Sequence, residues 1–388
     1  MSVGPEEMRF SLVQDPWLRL QRLLRLAPRE GLGARRRAVF FALLGWLPLV
    51  VWAGATGRLQ NGSDPESLWR HLGVHVRCLL AIPLFVLSEP WSDRILGIIV
   101  GNFVPSGLVR PEEQAHLAGA LRSVERWRDS RWIWTLLAAI VVLVIASSPW
   151  QGAVDDVVAW ARTPEGVGFG GTWLFFVTRP LFLFMAILWL WRLLLTWLLC
   201  RRLAALDLQL VPSHPDRAGG LGFTEQLPLA FTLVVLAFSS VVASSVAHQI
   251  LAHGAHVMQF KALAAGLVVL LTVLFVSPLT AFSGPLRRTR LRARFEYGAL
   301  AGKQVRGVHE RWVLGRPVED DAILAAPEIG PAADMATLYA LGTGMRSVPI
   351  GKTTLVALLV PAVLPLLVAA SIEVPIKEVL LKILGALA

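Results

Sequence analysis

Three observations on this 388-residue chain predict an all-α polytopic membrane bundle of about seven transmembrane helices. Hydrophobic residues make up 55% of it and charged residues only 16%, against about 25% charged in an average soluble protein. Mean hydropathy is +0.59, and charge is missing from several windows long enough to cross an apolar layer. Lysine and arginine gather in alternate connecting segments, the bias of a membrane protein whose basic loops stay in the cytoplasm.

The elements follow in chain order. Residues 1–37 carry eight arginines and four acids, with no apolar core ahead of a small-residue cleavage site, so no cleavable signal is expected. Asp15 and Pro16 suit the cap and first turn of a helix. Its Trp17, Leu20, Leu23 and Leu24 share a face, which reads either as an interfacial helix or as one packed on the protein's own basic side. Spans are expected at 38–55, 71–91, 132–150, 173–200, 227–251, 259–282 and 353–370. Trp91, Trp132, Trp150 and Trp173 lie near their ends, as an aromatic belt requires.

Segments 1–37, 91–131, 201–226 and 284–352 hold 28 of the 37 lysines and arginines, and the alternate connections hold 6. The N-terminus is therefore expected in the cytoplasm and the C-terminus outside, with 375–388 as a surface helix. Two basic-side segments are long enough to fold. Residues 91–131 read as a helical hairpin. Residues 284–352 begin with Arg287, Arg288, Arg290, Arg292 and Arg294, continue the sixth helix, turn through an acidic proline-containing stretch over 317–331, and form a short helix near 332–341. The organisation is thus 1–37 amphipathic, 38–283 transmembrane with its hairpin, 284–352 basic and helical, and 353–388 the last span with its surface helix. Strand-like alternation and internal repeats are not visible.

The net charge of +10 is spread over several loops rather than one face, which argues against nucleic acid. Cys78 and Cys200 fall near opposite membrane faces, so no disulfide is expected. No cofactor motif and no metal-ligand spacing is legible. His248, His253 and His256, with His71 and His75, are the nearest approach to a metal set and lack an accompanying thiol or carboxylate.

Polar groups inside spans are costly and therefore informative. Arg77 and Arg179 each lie about six residues into a span from the outer side. Ser240, Ser244 and His248 recur every four residues on the fifth span. Together these five could line an outward polar pathway; snorkelling to headgroups is the plainer reading of each arginine, and helix packing that of the serines. Arg192 lies near the inner end of its span, where Glu89 is a candidate ion-pair partner. Arginines without a mid-span carboxylate favour an anionic guest over a cation. Prolines at 48, 83, 180, 278, 361 and 365 interrupt the spans and free backbone carbonyls.

The loop at 212–223 carries His214, Asp216, Arg217, Gly219, Gly220 and Gly222. Its glycines admit conformations closed to other residues, and it leads into a helix N-terminus, where amides favour an anion or headgroup. A rigid hairpin closing two spans is the alternative.

The run from His214 to Phe223, with Ala333-Asp334-Met335 and Met345-Arg346-Ser347-Val348-Pro349 ahead of a proline-containing last span, resembles a pattern of multi-pass bacterial inner-membrane proteins of uncharacterised function. The resemblance covers the chain from the fourth span onward. It implies a bacterial inner membrane and contributes no catalytic residue.

These readings support a channel- or transporter-like protein for an anionic or polar solute. The alternatives are a non-transporting scaffold or sensor that binds anionic lipid or a protein, and a lipid-modifying enzyme acting at Asp216 and Arg217. No serine-histidine-acid or paired-carboxylate arrangement supports an enzyme mechanism. Expected partners are membrane lipids, with anionic headgroups at the basic segments, and a second copy of the chain is a further candidate.

Overall fold

The computed structural model describes residues 10–59, 67–147, 159–163, 166–316 and 330–373. Within them the chain is an all-helical bundle. Helix α1 covers Pro16–Leu23, and α2 covers Ala34–Ala55. Helix α3 runs Leu72–Gly101, α4 Pro111–Arg128 and α5 Arg131–Ala146. Helix α6 runs Phe169–Ala204, α7 Gly222–His253 and α8 Val257–Arg311. Helix α9 covers Gly330–Thr343 and α10 covers Lys352–Ala370. Six of these (α2, α3, α6, α7, α8 and α10) are long and apolar enough to cross a membrane. The count is seven if α4 and α5, bent by 41° at their junction, are taken as one span.

Apolar side chains point both ways, as expected where the surroundings are lipid rather than water. Val142, Leu143, Val269, Val273, Val356, Val360 and Val368 face outward. Phe85, Trp189, Phe231, Phe275 and Leu358 form the buried centre. Helix α7 lies at that centre, packed on α3 and most closely on α10. The Ser239 hydroxyl ties α7 to α10 by donating to the Ala362 carbonyl at 2.5 Å.

The prolines are absorbed in three ways. Pro48, Pro361 and Pro365 stay inside α-helix. Pro278 sits in a 3-10 turn, Ser277–Phe282, that joins the apolar part of α8 to its basic part. Pro83 and Pro180 each follow a π-helical stretch, Val76–Ala81 and Leu174–Thr178. A proline ring clashes with the carbonyl four residues back, and the wider π turn gives that carbonyl room.

At the basic end the second span runs further than expected, and the N-terminal helix takes the second of its two expected forms, packed on the protein's own basic side. Helix α3 continues unbroken to Gly101, so 95–101 extend the second span and also form the first arm of a hairpin with α4, whose Leu117, Leu121 and Val124 join the cluster of Leu96, Ile99 and Val100. Residues 10–27 are not laid on the surface: Phe10, Leu12, Val13, Leu18 and Ala27 belong to a buried cluster with Leu96, Val100, Leu121 and Leu195. Helix α1 is capped by Asp15, which accepts from the Leu18 amide, and it still exposes Leu20, Leu23 and Leu24. One two-residue ladder, β1 (Arg162–Thr163) with β2 (Gly166–Val167), is present; arms this short carry no alternation to read. The acidic turn at 317–329, Trp150 and the surface helix at 375–388 lie outside the described residues.

At the end opposite the arginine-rich segments, α6 begins against two indoles. A Cβ on Gly170 would come within 2.6 Å of Trp52 and 2.8 Å of Trp160, whose rings meet edge-on at 5.8 Å. Gly170→Ala is expected to cost about 1–3 kcal/mol by overpacking, read as a lower thermal unfolding midpoint together with altered tryptophan emission.

Candidate functional site

Two groups of intramembrane charge stand in contrast. The first is compensated. Arg192 Nη2 donates to Asp15 Oδ2 at 2.7 Å and to Glu89 Oε1 at 3.1 Å. Arg37 Nη1 donates to the other Glu89 oxygen at 2.5 Å, and its Nε donates to Gln21 Oε1 at 2.5 Å. Arg192 also lies over the Trp189 ring, 4.8 Å from its centroid. Asp15, Gln21, Arg37, Glu89 and Arg192 are each at most 3% exposed. Two guanidinium groups face two carboxylates, so the cluster carries no net charge. The Glu89–Arg192 pair was legible from depth in the helices. The contributions of Asp15, Gln21 and Arg37 were not: Asp15 reads as a cap and Arg37 as a membrane anchor, and both do a second task.

The second centres on Arg77. Arg77 lies on the π-helical turn of α3 and lines a cleft of about 140 Å³ with His71, Gly73, Val74, Ser244, Ser245, His248 and Gln249. Among the described residues, no carboxylate lines this cleft. Arg77 makes no hydrogen bond or ion pair with another described residue, and its charged neighbour Arg179 has the same sign. Gly73 keeps the approach narrow but open; a Cβ there would reach Arg77 Nη1 and Ser244 Oγ at 3.9 Å. Arg179 follows the π turn of α6 and stacks at 5.5 Å on Phe175; it is not among the residues lining the cleft.

The serine face divides. Ser244 lines the cleft, whereas Ser240 is buried and donates to the Leu236 carbonyl of its own helix at 2.7 Å. Ser244 likewise donates to the Val241 carbonyl at 2.7 Å. His248 Nδ1 lies 3.3 Å from the Arg70 carbonyl, and its ring is 5.6 Å from that of His71. His75 is held between the Trp46 indole N–H at 2.9 Å and the Leu68 carbonyl at 3.0 Å, which makes it a packing residue. Among the described residues, no group of three or more His, Cys, Asp or Glu could hold a metal ion.

The loop between α6 and α7 is organised by Asp216. Its carboxylate accepts from the amides of Ala218 at 2.7 Å, Gly220 at 3.1 Å and Gly222 at 2.7 Å. His214 Nδ1 lies 2.8 Å from it. The anion that these amides meet is therefore the loop's own side chain. Partial burial opposes the charge, yet the three amides and His214 hold the Asp216 carboxyl below its ordinary range. Gly219 and Gly220 take φ of +65° and +100°, and Arg217 takes +55°, a conformation costly for a residue with a Cβ. The Arg217 carbonyl accepts from the Arg346 amide at 2.7 Å. Arg346 also pairs with Glu225 at 3.1 Å. The loop thus joins α7 to the segment leading into α10.

No protein-family model, curated protein or solved structure matches this chain. Functional inference rests on the geometry alone.

Proposed function

We propose that the chain is a channel- or transporter-like membrane protein for a small anionic solute, which it meets at Arg77. One observation carries this reading: the Arg77 guanidinium faces a cleft that no carboxylate lines among the described residues. Burying a cation without a counter-charge costs several kcal/mol. The same chain neutralises Arg37 and Arg192 fully, so the contrast is a property of the site and not of the bundle. An incoming anion would supply the missing charge. The cleft holds on the order of a few water-sized groups, which suits a small inorganic anion or a short carboxylate. Arg77 lies in, and Arg179 directly follows, a π-helical turn ahead of a proline, and such π turns are frequent at functional sites. In this reading the arginine-rich end faces the cytoplasm, and the resemblance of the 214–223 loop favours a bacterial inner membrane.

The test is anion flux into proteoliposomes, with nitrate, sulfate and acetate as probes. Arg77→Gln is expected to lower flux at least about tenfold, as loss of one charge-assisted contact would, with Arg77→Lys retaining part of it. The unfolding midpoint of Arg77→Gln should stay level or rise, because a half-buried charge with no carboxylate beside it among the described residues has been removed. Flux equal to that of the wild type, or a midpoint that falls as if a structural arginine were lost, would remove the proposal.

A further inference from the structure

The basic part of α8 carries a second site, independent of the Arg77 reading. Arg287, Arg288, Arg290 and Arg294 line a hollow of about 550 Å³ together with Gly284, Leu291 and Ser347. Among the described residues, no acidic side chain lines it. Arg287, Arg288 and Arg294 are exposed, and their spacing places them on one face of the helix. Arg290 is fixed from behind, since its Nε donates to the Thr343 carbonyl at 3.0 Å. The hollow therefore has one rigid wall and three arginines free to close on a guest.

Depth decides what that guest is. The apolar part of α8 ends with the 3-10 turn at Phe282, and the α-helix resumes at Ser283. Arg287 follows by five residues, a rise of about 8 Å, which is the thickness of one headgroup layer, roughly 5–8 Å. Gly284 lies at the membrane-side rim, and nothing comes within 4 Å of where its Cβ would be. The hollow is thus open at Gly284, on the side from which a lipid phosphate would enter.

We propose that this hollow binds the headgroup of an anionic phospholipid in the leaflet at the basic end. The phosphate takes charge-assisted bonds from Arg287 and Arg288, the rest of the headgroup reaches toward Arg294 and Ser347, and the acyl chains lie along the apolar part of α8. The site is built by charge and depth together. A soluble polyanion would need only the first.

The experiment uses the full chain, purified in mild detergent and titrated with phosphatidylglycerol, phosphatidylcholine or inorganic phosphate. Bound lipid is read by native mass spectrometry and by the shift in unfolding midpoint. Phosphatidylglycerol should bind in preference to phosphatidylcholine, and Arg287→Gln/Arg288→Gln should lower its affinity about tenfold or more. Gly284→Phe, which leaves every charge in place and occupies the rim, should lower it comparably while the midpoint without lipid is kept. The charge-matched pair Arg122→Gln/Arg126→Gln on α4, both exposed, should change it less than about twofold if the site and not diffuse surface charge is responsible. Equal loss in that matched pair, no effect of Gly284→Phe, or inorganic phosphate binding as well as the lipid would each overturn the proposal.

Discussion

Arg192→Met is expected to destabilise the protein by about 3–5 kcal/mol, the range for removing one partner of a buried ion pair. The substitution leaves Asp15 with no guanidinium in contact and Glu89 with Arg37 alone, at positions where water cannot replace the missing charge. Arg192→Lys should not rescue it fully. One planar nitrogen of Arg192 reaches both Asp15 Oδ2 and Glu89 Oε1 while the guanidinium lies on Trp189, and an ammonium cannot reproduce that stacked, forked geometry. The expected loss has a location as well as a size. Asp15 belongs to the N-terminal segment, which is also held by Arg128 donating to the Ser11 carbonyl and by Arg19 pairing with Asp129 at 2.7 Å. Release of Asp15 should therefore show as faster tryptic cleavage within 10–33 before the bundle unfolds. An unchanged midpoint together with an unchanged digestion pattern would contradict the arrangement of this cluster.

Asp216→Ala is the second large effect. Three amides lose their acceptor at once, and hydrogen bonds to charged groups contribute about 1.5–3 kcal/mol each before any discount for exposure. The carboxylate is only partly buried, so a total near 2–3 kcal/mol is expected, since solvent screens part of it. The pH dependence has a definite sign. The folded-state carboxyl titrates below its ordinary value of 3.8. Its contribution is therefore complete above about pH 4 and is lost as pH falls through the depressed folded value. Wild-type stability should decline in that acid window more steeply than that of Asp216→Asn, whose side chain does not titrate. Parallel acid profiles for the two proteins would show that the loop is held by something other than this charge.

Much of the architecture is a matter of composition along the chain and was legible there. A run of about twenty apolar residues leaves water wherever the rest of the molecule lies, because its backbone is satisfied within the helix. The continuation of the sixth span into a basic helix follows in the same way from the local pattern, and Pro278 is absorbed in one 3-10 turn. The Asp15 cap and Pro16 first turn are also local, as is the glycine requirement of the 214–223 loop. The second span, expected to end at Trp91, runs further for a physical reason. Pro90, Trp91 and Asp93 look like an exit from the membrane, yet a helix fixes its own backbone bonds and can run on to Gly101 once Asp93 meets the Ser11 hydroxyl at 2.5 Å.

What the sequence determined by itself is which segments are apolar helices and at which end the cations gather, since both depend only on neighbours in the chain. Tertiary structure alone decided which arginines are neutralised. Asp15 and Arg192 are 177 positions apart, and Coulomb energy depends on separation in space, where they are 2.7 Å apart. The same rule leaves Arg77 facing a cleft that no carboxylate lines among the described residues: its charge is written in the chain, and its surroundings exist only in the folded bundle.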